Sequence, residues 1–315
     1  MSQPTVREVE HEIVVSAPAK VVYDLIADVR KWPQLFPPTV YVDRTALDGT
    51  SERIRIWATA NGEAKTWTSL RTLDAAALRI GFRQEVSQPP VATMGGAWHV
   101  EPRSATESRV RLTHDYRAVG DDPESLAWID RAVDRNSVSE LAALKKNAEL
   151  AAGGDRLLLS FEDAVEVEGA AKDVYDFINE AGRWAERLPH VAKVSLRENT
   201  PGLQLLEMDT RTSDGSVHTT KSVRVCFPHS RIVYKQIVVP ALMTLHTGQW
   251  LLTGTAGGVL VTSQHTVVLD PANITKILGD GAGVEDARVF VRKALSTNSL
   301  TTIGFAKDYA EARRG

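Results

Sequence analysis

The sequence predicts an α+β fold built twice: two tandem domains, each a curved antiparallel sheet closing on a long C-terminal helix around an internal cavity. Three observations predict it. At 315 residues the chain holds enough for two cores, since single domains usually run to roughly 100–150 residues. Its two halves lie on one another in register, and each half reads as strand, helix, a series of short strands and a final long helix.

The register is carried by Lys20 on Lys172, Val22 on Val174, Tyr23 on Tyr175, Asp24 on Asp176, Ile26 on Ile178, Trp32 on Trp184 and Pro37 on Pro189, all at an offset of 152. The same offset pairs Arg79-Ile80 with Arg231-Ile232, Gln84 with Gln236, Gly96 with Gly248 and Trp98 with Trp250. At 153 the triplets Ser69-Leu-Arg71 and Ser222-Val-Arg224 coincide, and at 162 Asn136-Ser137 meets Asn298-Ser299. The drift reads as loop insertions. A repeat of this length is a whole domain, far above the ~20–50 residues of solenoid units. The domains are expected at residues 1–152 and 155–315, joined at "AELAAGGDRLL", where Gly153-Gly154 interrupts the helical pattern.

Each copy opens with a strand, "HEIVV" in the first. Pro18 starts a helix whose apolar positions Val22, Leu25, Ile26 and Val29 keep helical spacing. The prolines of "KWPQLFPP" are expected to end it. Short runs at "YVDRT", "RIRIWATA", "KTWTSLRTL", "LRIGFRQEV", "GAWHVEPR" and "SRVRLTHDYRAV" are spaced like an antiparallel meander. Long helices over 124–150 and 284–312 close the copies. A curved sheet around one helix leaves a concave, mostly apolar space of the kind that binds small ligands.

Composition excludes several function classes. The chain is 43% hydrophobic and 24% charged, and no stretch approaches the ~20 apolar residues of a membrane span. The opening "MSQPTVREVEHEIVV" lacks the pattern of a secretory signal, and Cys226 is the only cysteine, so neither an intrachain disulfide nor a cysteine-based zinc site is available; a cytoplasmic location is expected. A net charge of -3, with Lys and Arg spread along the chain, argues against nucleic acid. The eight histidines show no metal spacing. "GDGAG" at 279–283 lacks the strand and Lys-Ser/Thr of a phosphate cradle, and no dinucleotide fingerprint or serine or cysteine nucleophile motif is recognisable.

The repeated Ser-x-Arg triplets are the first candidate site. Strand alternation puts Trp67, Ser69 and Arg71 on one face, and either face fits the inside. On the outside Arg71 would be an ordinary solvated arginine. Inside, a guanidinium needs carboxylates, carbonyls or an anion, and its retention as Arg224 favours an oxygen-rich ligand. Trp32, Trp98, Trp184 and Trp250, with Phe36, either fill cores or wall a cleft. Asn136 and Asn298 sit on the stripes set by Ile129 and Ala132, and by Val291 and Ala294, of the closing helices, so each either bonds backbone or faces a ligand. His114 and His265 are equivalents on strands, read as satisfied sheet histidines or as acid-base groups.

Together, "VVYDLIADVRKWPQLFP", "WTSLR", the lone tryptophan of "GAWHV" and "DRNS" resemble the polyketide aromatase/cyclases of bacterial type II polyketide synthases, and the tandem copies resemble their di-domain subclass. The likeness covers nearly the whole chain and is stronger in the first half, for nothing matches Trp67 in the second copy. The resemblance implies a START/Bet v 1-like helix-grip fold. It also implies catalytic roles for Ser69, Arg71, Ser222 and Arg224, and substrate-binding roles for Trp32, Trp67, Trp98, Trp184 and Trp250, to which the residue pattern adds Phe36, Asn136 and Asn298 as substrate-binding candidates. The implied reaction is first-ring aldol cyclisation, dehydration and aromatisation of a poly-β-ketone on an acyl carrier protein, between the seventh and twelfth carbons. Other type II polyketide synthase components are the implied partners, and no metal or organic cofactor is implied. Because fold alone does not fix function, a non-catalytic START-like carrier of a hydrophobic or aromatic ligand is the alternative.

Overall fold

The computed structural model describes residues 6–60, 63–153, 157–211 and 215–314. The chain divides into two compact units, Met1–Asp155 and Arg156–Gly315. The expected join at Gly154 lies outside the described residues.

In the first unit, β1 (Arg7–Val15) leads into α1 (Ala19–Ala27), a single turn at Val29–Lys31 and the short α2 (Trp32–Leu35). Six strands follow: β2 (Thr39–Ala46), β3 (Ser51–Ala60), β4 (Glu63–Asp74), β5 (Arg79–Gln84), β6 (Val91–Pro102) and β7 (Ser108–Ala118). The 31-residue α3 (Pro123–Gly153) closes the unit. One antiparallel sheet runs in the order β1-β7-β6-β5-β4-β3-β2, so the first strand pairs with the last and the rest form a meander. Register shifts at Thr39/Tyr41 and Val91/Thr93 mark bulges, which bend strands.

The proline-rich stretch departs from its expected role. Pro33 does not stop a helix but lies in the first turn of α2, where a missing N–H removes no intrahelical bond. The chain thus turns before Trp32, and the indole Nε1 donates to the carbonyl of Ile26 at 3.0 Å. That bond ties Trp32 to the end of α1.

The second unit repeats the plan with β8 (Leu158–Val167), α4 (Ala171–Asn179), α5 (Trp184–Arg187), β9 (Val191–Thr200), β10 (Leu203–Arg211), β11 (Val217–Phe227), β12 (Arg231–Val238), β13 (Met243–Thr255) and β14 (Gly258–Leu269). A short α6 (Ile274–Leu278), an insertion without counterpart in the first unit, precedes the closing α7 (Val284–Glu311). This insertion accounts for the offset growing to 162 in the last helix. The sheet order β8-β14-β13-β12-β11-β10-β9 is that of the first unit. Each unit is therefore a helix-grip domain. In the first, Val110, Leu112, Tyr116 and Ala118 of β7 are buried and the residues between them less so, which is the alternation of a sheet with one covered face.

Candidate functional site

Register decides which face the triplets occupy. In β4, Ser69, Arg71 and Leu73 stand opposite Gln84, Phe82 and Ile80 of β5, and Ile80 belongs to the core with Trp98, Val110 and Leu112. Ser69 and Arg71 are thus inward, 4% and 2% exposed. Ser222 and Arg224 of β11 repeat the placement at 8% and 2% exposed. The solvated-arginine reading is excluded.

The two guanidinium groups are satisfied differently. Arg71 Nη1 donates to Glu52 Oε1 at 2.9 Å and to the carbonyl of Ala27 at 3.5 Å, and Nη2 donates to the carbonyl of Ile26 at 2.9 Å. Glu52 is itself 1% exposed and also takes the Nε–H of the exposed Arg44, so it bridges one buried and one exposed arginine. The Arg71 plane lies over Trp32, 5.0 Å from its centroid. Burial lowers its pKa to about 10, against the pull of Glu52, so it remains a cation at neutral pH.

In the second unit the residue opposite Arg224 in the β10–β11 register is Gln204, where Glu52 stands opposite Arg71. Arg224 Nη2 donates to the carbonyl of Ile178 at 2.7 Å and the group sits over Trp184 at 5.2 Å, as Arg71 does over Trp32. Its Nη1, however, has no hydrogen-bond partner among the described residues, and neither has Gln204 Oε1. The Gln204 amide nitrogen instead donates to Glu198 Oε2 at 2.8 Å and to both oxygens of Asn179 at 3.2–3.3 Å. Burial lowers the Arg224 pKa, with only weaker charges opposing it.

Arg224 opens into a cavity of about 120 Å³ bordered by Trp184, Thr220, Ser222, Trp250, Asn298 and Ser299, among others. An apolar cavity of roughly 150 Å³ accepts a benzene molecule, so the free space is of single-ring scale. Its far wall is a buried polar cluster around His265. Ser299 Oγ donates to the carbonyl of Leu295 at 2.8 Å, which leaves its oxygen to accept from His265 Nε2 at 2.7 Å. His265 Nδ1 is then the acceptor, with the Tyr234 hydroxyl at 3.0 Å and His246 Nε2 at 2.9 Å. Burial holds both imidazoles neutral, pushing His265 to about 4 and His246 to about 3, and raises the Tyr234 pKa. The wall therefore presents neutral donors and acceptors.

The corresponding space in the first unit is furnished otherwise. Phe82 stands at the position of Tyr234 and Met94 at that of His246, by the offset of 152. Phe36 stacks on Trp98 at 6.0 Å and meets Trp32 edge-on at 5.4 Å, so these aromatics form one wall; Trp67 is half-buried beside Ile54 and Ile56. His114 packs edge-on against Phe82 at 5.5 Å, its pKa pushed down to about 4 by burial, and its Nδ1 is buried without a partner among the described residues. The Ser137 hydroxyl is likewise buried without one.

The Asn136 expectation needs correction. The covered stripe of α3 runs Ile129, Val133, Ser137, Leu141, Leu144 and Ala148, and Asn136, about 100° off that line, is exposed. Ala132 lies off the stripe as well, and Ala294 of α7 is exposed. Asn298 is half-buried and borders the cavity. In place of Asn136, the structure brings Glu140 inward. This carboxyl is enclosed by the domain and its pKa is raised to about 7 by desolvation alone, while part of its side chain remains uncovered. It occupies the position of Thr302, which borders the second unit's cavity.

Sequence reading missed Glu140, Tyr234, His246 and the Glu52/Gln204 difference. The available signal was the reverse of the one sought: inward positions where the two copies differ. Among the described residues no cluster of three or more histidine, cysteine or acidic side chains is arranged to hold a metal ion, and no helix is long and apolar enough to cross a membrane.

Comparison with known proteins identifies the family. Residues 6–149 match the family model described as polyketide cyclase/dehydrase and lipid transport. The chain is 56% identical, over 94% of its length and 97% of the relative, to a granaticin polyketide synthase bifunctional cyclase/dehydratase from Streptomyces virginiae. It is 44% identical, over 97% of its length and 98% of the relative, to the actinorhodin counterpart from Streptomyces coelicolor. Among solved structures it superposes on the di-domain aromatase/cyclase BexL of the BE-7585A pathway with a TM-score of 0.92 at 65% identity, covering 98% of this chain and 99% of that one. For StfQ of the steffimycin pathway the TM-score is 0.88 at 35% identity, with 97% and 99% covered.

Proposed function

Since the chain belongs to the polyketide cyclase/dehydrase family, we propose how its two sites share the closing and aromatising of a first polyketide ring. The protein is a polyketide cyclase/dehydratase of aromatic polyketide biosynthesis. Each compact unit is one ring-shaping domain, and the substrate is a poly-β-ketone delivered on an acyl carrier protein, joined between its seventh and twelfth carbons.

A poly-β-ketone carries acidic methylenes between carbonyls and condenses unaided, so selecting which carbons meet is the larger task. Holding one methylene against one carbonyl supplies the orientation advantage, and each tenfold preference over a wrong ring takes about 1.4 kcal/mol. The aldol step moves charge from the deprotonated carbon to the attacked carbonyl oxygen. Dehydration then removes a hydrogen from carbon and the new hydroxyl as water, and enolisation completes the aromatic ring.

The observation that carries the reading is the buried guanidinium of Arg224, one of whose N–H groups is uncommitted among the described residues, on a residue that borders a ring-sized cavity. Arg224 would stabilise the developing oxyanion without a proton transfer, with Ser222 beside it and the neutral Tyr234–His265 wall hydrogen-bonding the remaining oxygens. In the first unit, Glu140 has the pKa of a carboxyl that gives and takes protons near neutrality, and His114, on the sheet, is a neutral base. Ser69 lies on the same inward face. Arg71, with both terminal nitrogens engaged, would set the aromatic wall by holding Trp32 and the end of α1.

The test is reconstitution with a minimal polyketide synthase, with and without its ketoreductase, followed by product identification. Adding the protein should convert a mixture of spontaneously cyclised products into one aromatic first ring. An unchanged mixture, with the polyketide merely bound, would instead make the protein a carrier.

A further inference from the structure

The two halves differ by one charge at one pair of equivalent positions. Glu52 and Gln204 stand opposite the arginine in the same strand pairing, each 1% exposed. Glutamate occupies both Arg71 and Arg44; glutamine turns its amide N–H groups away, toward Asn179 and Glu198. Glu198 is exposed, so solvent screens its charge, whereas Glu52 is enclosed with its partner. The first unit thus holds a closed internal ion pair. The second holds a buried cation with one N–H unpartnered among the described residues, on an arginine that is one of the residues bordering the cavity.

We propose that position 204 is a specificity determinant: glutamine there, in place of the glutamate of the first unit, keeps Arg224 open as a binding site for the oxyanion of a ring-sized aromatic or enolate ligand. A buried guanidinium left without a carboxylate is satisfied by a ligand oxygen, and the adjoining space is bordered by Trp184 and Trp250, faces suited to a flat ring. Replacing glutamine with glutamate supplies the missing internal carboxylate and closes the site. This assignment rests on the reading of the second cavity as a ring-binding site and adds the charge that it selects.

Benzoate and the nearly isosteric, uncharged benzamide are titrated calorimetrically into the full-length protein. Wild type should bind benzoate more tightly than benzamide by about tenfold or more, the scale of one charge-assisted hydrogen bond. Gln204→Glu should erase that preference, leaving benzamide within about threefold of wild type. Because a glutamate there faces Glu198, the double variant Glu198→Gln/Gln204→Glu relieves that repulsion and should behave alike. Gln204→Met, which supplies no carboxylate, should keep the preference, and Arg224→Met should lose it. Equal affinity for the two probes in wild type, or a benzoate preference surviving in either glutamate variant or in Arg224→Met, overturns the proposal. The same variants assayed for ring formation separate the two readings. An intact benzoate preference with no ring formed removes the cyclase reading only; ring control by Arg224 without benzoate selectivity removes the oxyanion switch only.

Discussion

Arg71 and Arg224 look interchangeable in sequence and are not interchangeable in energy. Removing one member of a buried ion pair strands the other, at a cost of about 3–5 kcal/mol. Arg71→Met should therefore destabilise the protein by that order in chemical denaturation, since Glu52 keeps only Arg44. Arg224→Met removes a buried cation that no carboxylate among the described residues contacts, and its cost should be smaller by about 2 kcal/mol or more; the opposite order would contradict the partner assignments. Glu140 gives a pH signature. Its carboxyl titrates at 4.5 when unfolded and at about 7 in the fold, so the native state holds the proton more tightly. Its contribution is full below pH 4.5 and is lost as pH rises to about 7, by at most about 1.4 kcal/mol per unit. Subtracting the pH profile of Glu140→Gln from that of wild type isolates this fall from the opposite effect of the buried histidines; a flat difference would mean an ordinary carboxyl. None of this was legible from composition. Inward arginines follow from alternation once a face is chosen, but the partner comes from a neighbouring strand whose register no single stretch reveals.

The strands and helices themselves were largely readable, because alternation and helical spacing follow from a one-sided core. All six predicted runs of the first meander are strands, and the closing helix spans Pro123–Gly153 against an expected 124–150. The errors arose where local chemistry has two outcomes. The first helix ends at Ala27, before the prolines, and Pro33 opens the next one, while a stripe drawn through Ile129 and Ala132 put Asn136 inside where Val133 and Ser137 belong. The repeated Gly96/Gly248 pair has a steric basis: a Cβ at Gly248 would collide with the Tyr234 hydroxyl and the backbone oxygen of Gln264. Gly248→Ala should cost about 1–3 kcal/mol. Gly254→Ala in the same strand, where a Cβ meets nothing within 4 Å, should be neutral or slightly stabilising. Equal melting temperatures for the two variants would show that β13 is not constrained by Tyr234.

For the molecule as a whole, duplication was the strongest signal in the sequence, and it also concealed the division of labour. Matches such as Trp32/Trp184 and Ser69/Ser222 fix the shared frame, whereas chemistry resides in the mismatches: Glu52/Gln204, Phe82/Tyr234, Met94/His246 and Glu140/Thr302. One half keeps a neutralised arginine and a carboxyl poised near pH 7, and the other a guanidinium with one N–H uncommitted among the described residues and a wall of neutral imidazoles. The most direct measurement is the product profile of a minimal polyketide synthase reconstituted with folded Arg224→Met. Misjoined, spontaneously cyclised rings should replace the single first-ring product, although Glu140 and His114 are intact. A profile identical to that of wild type would contradict the assignment of oxyanion stabilisation to the second cavity.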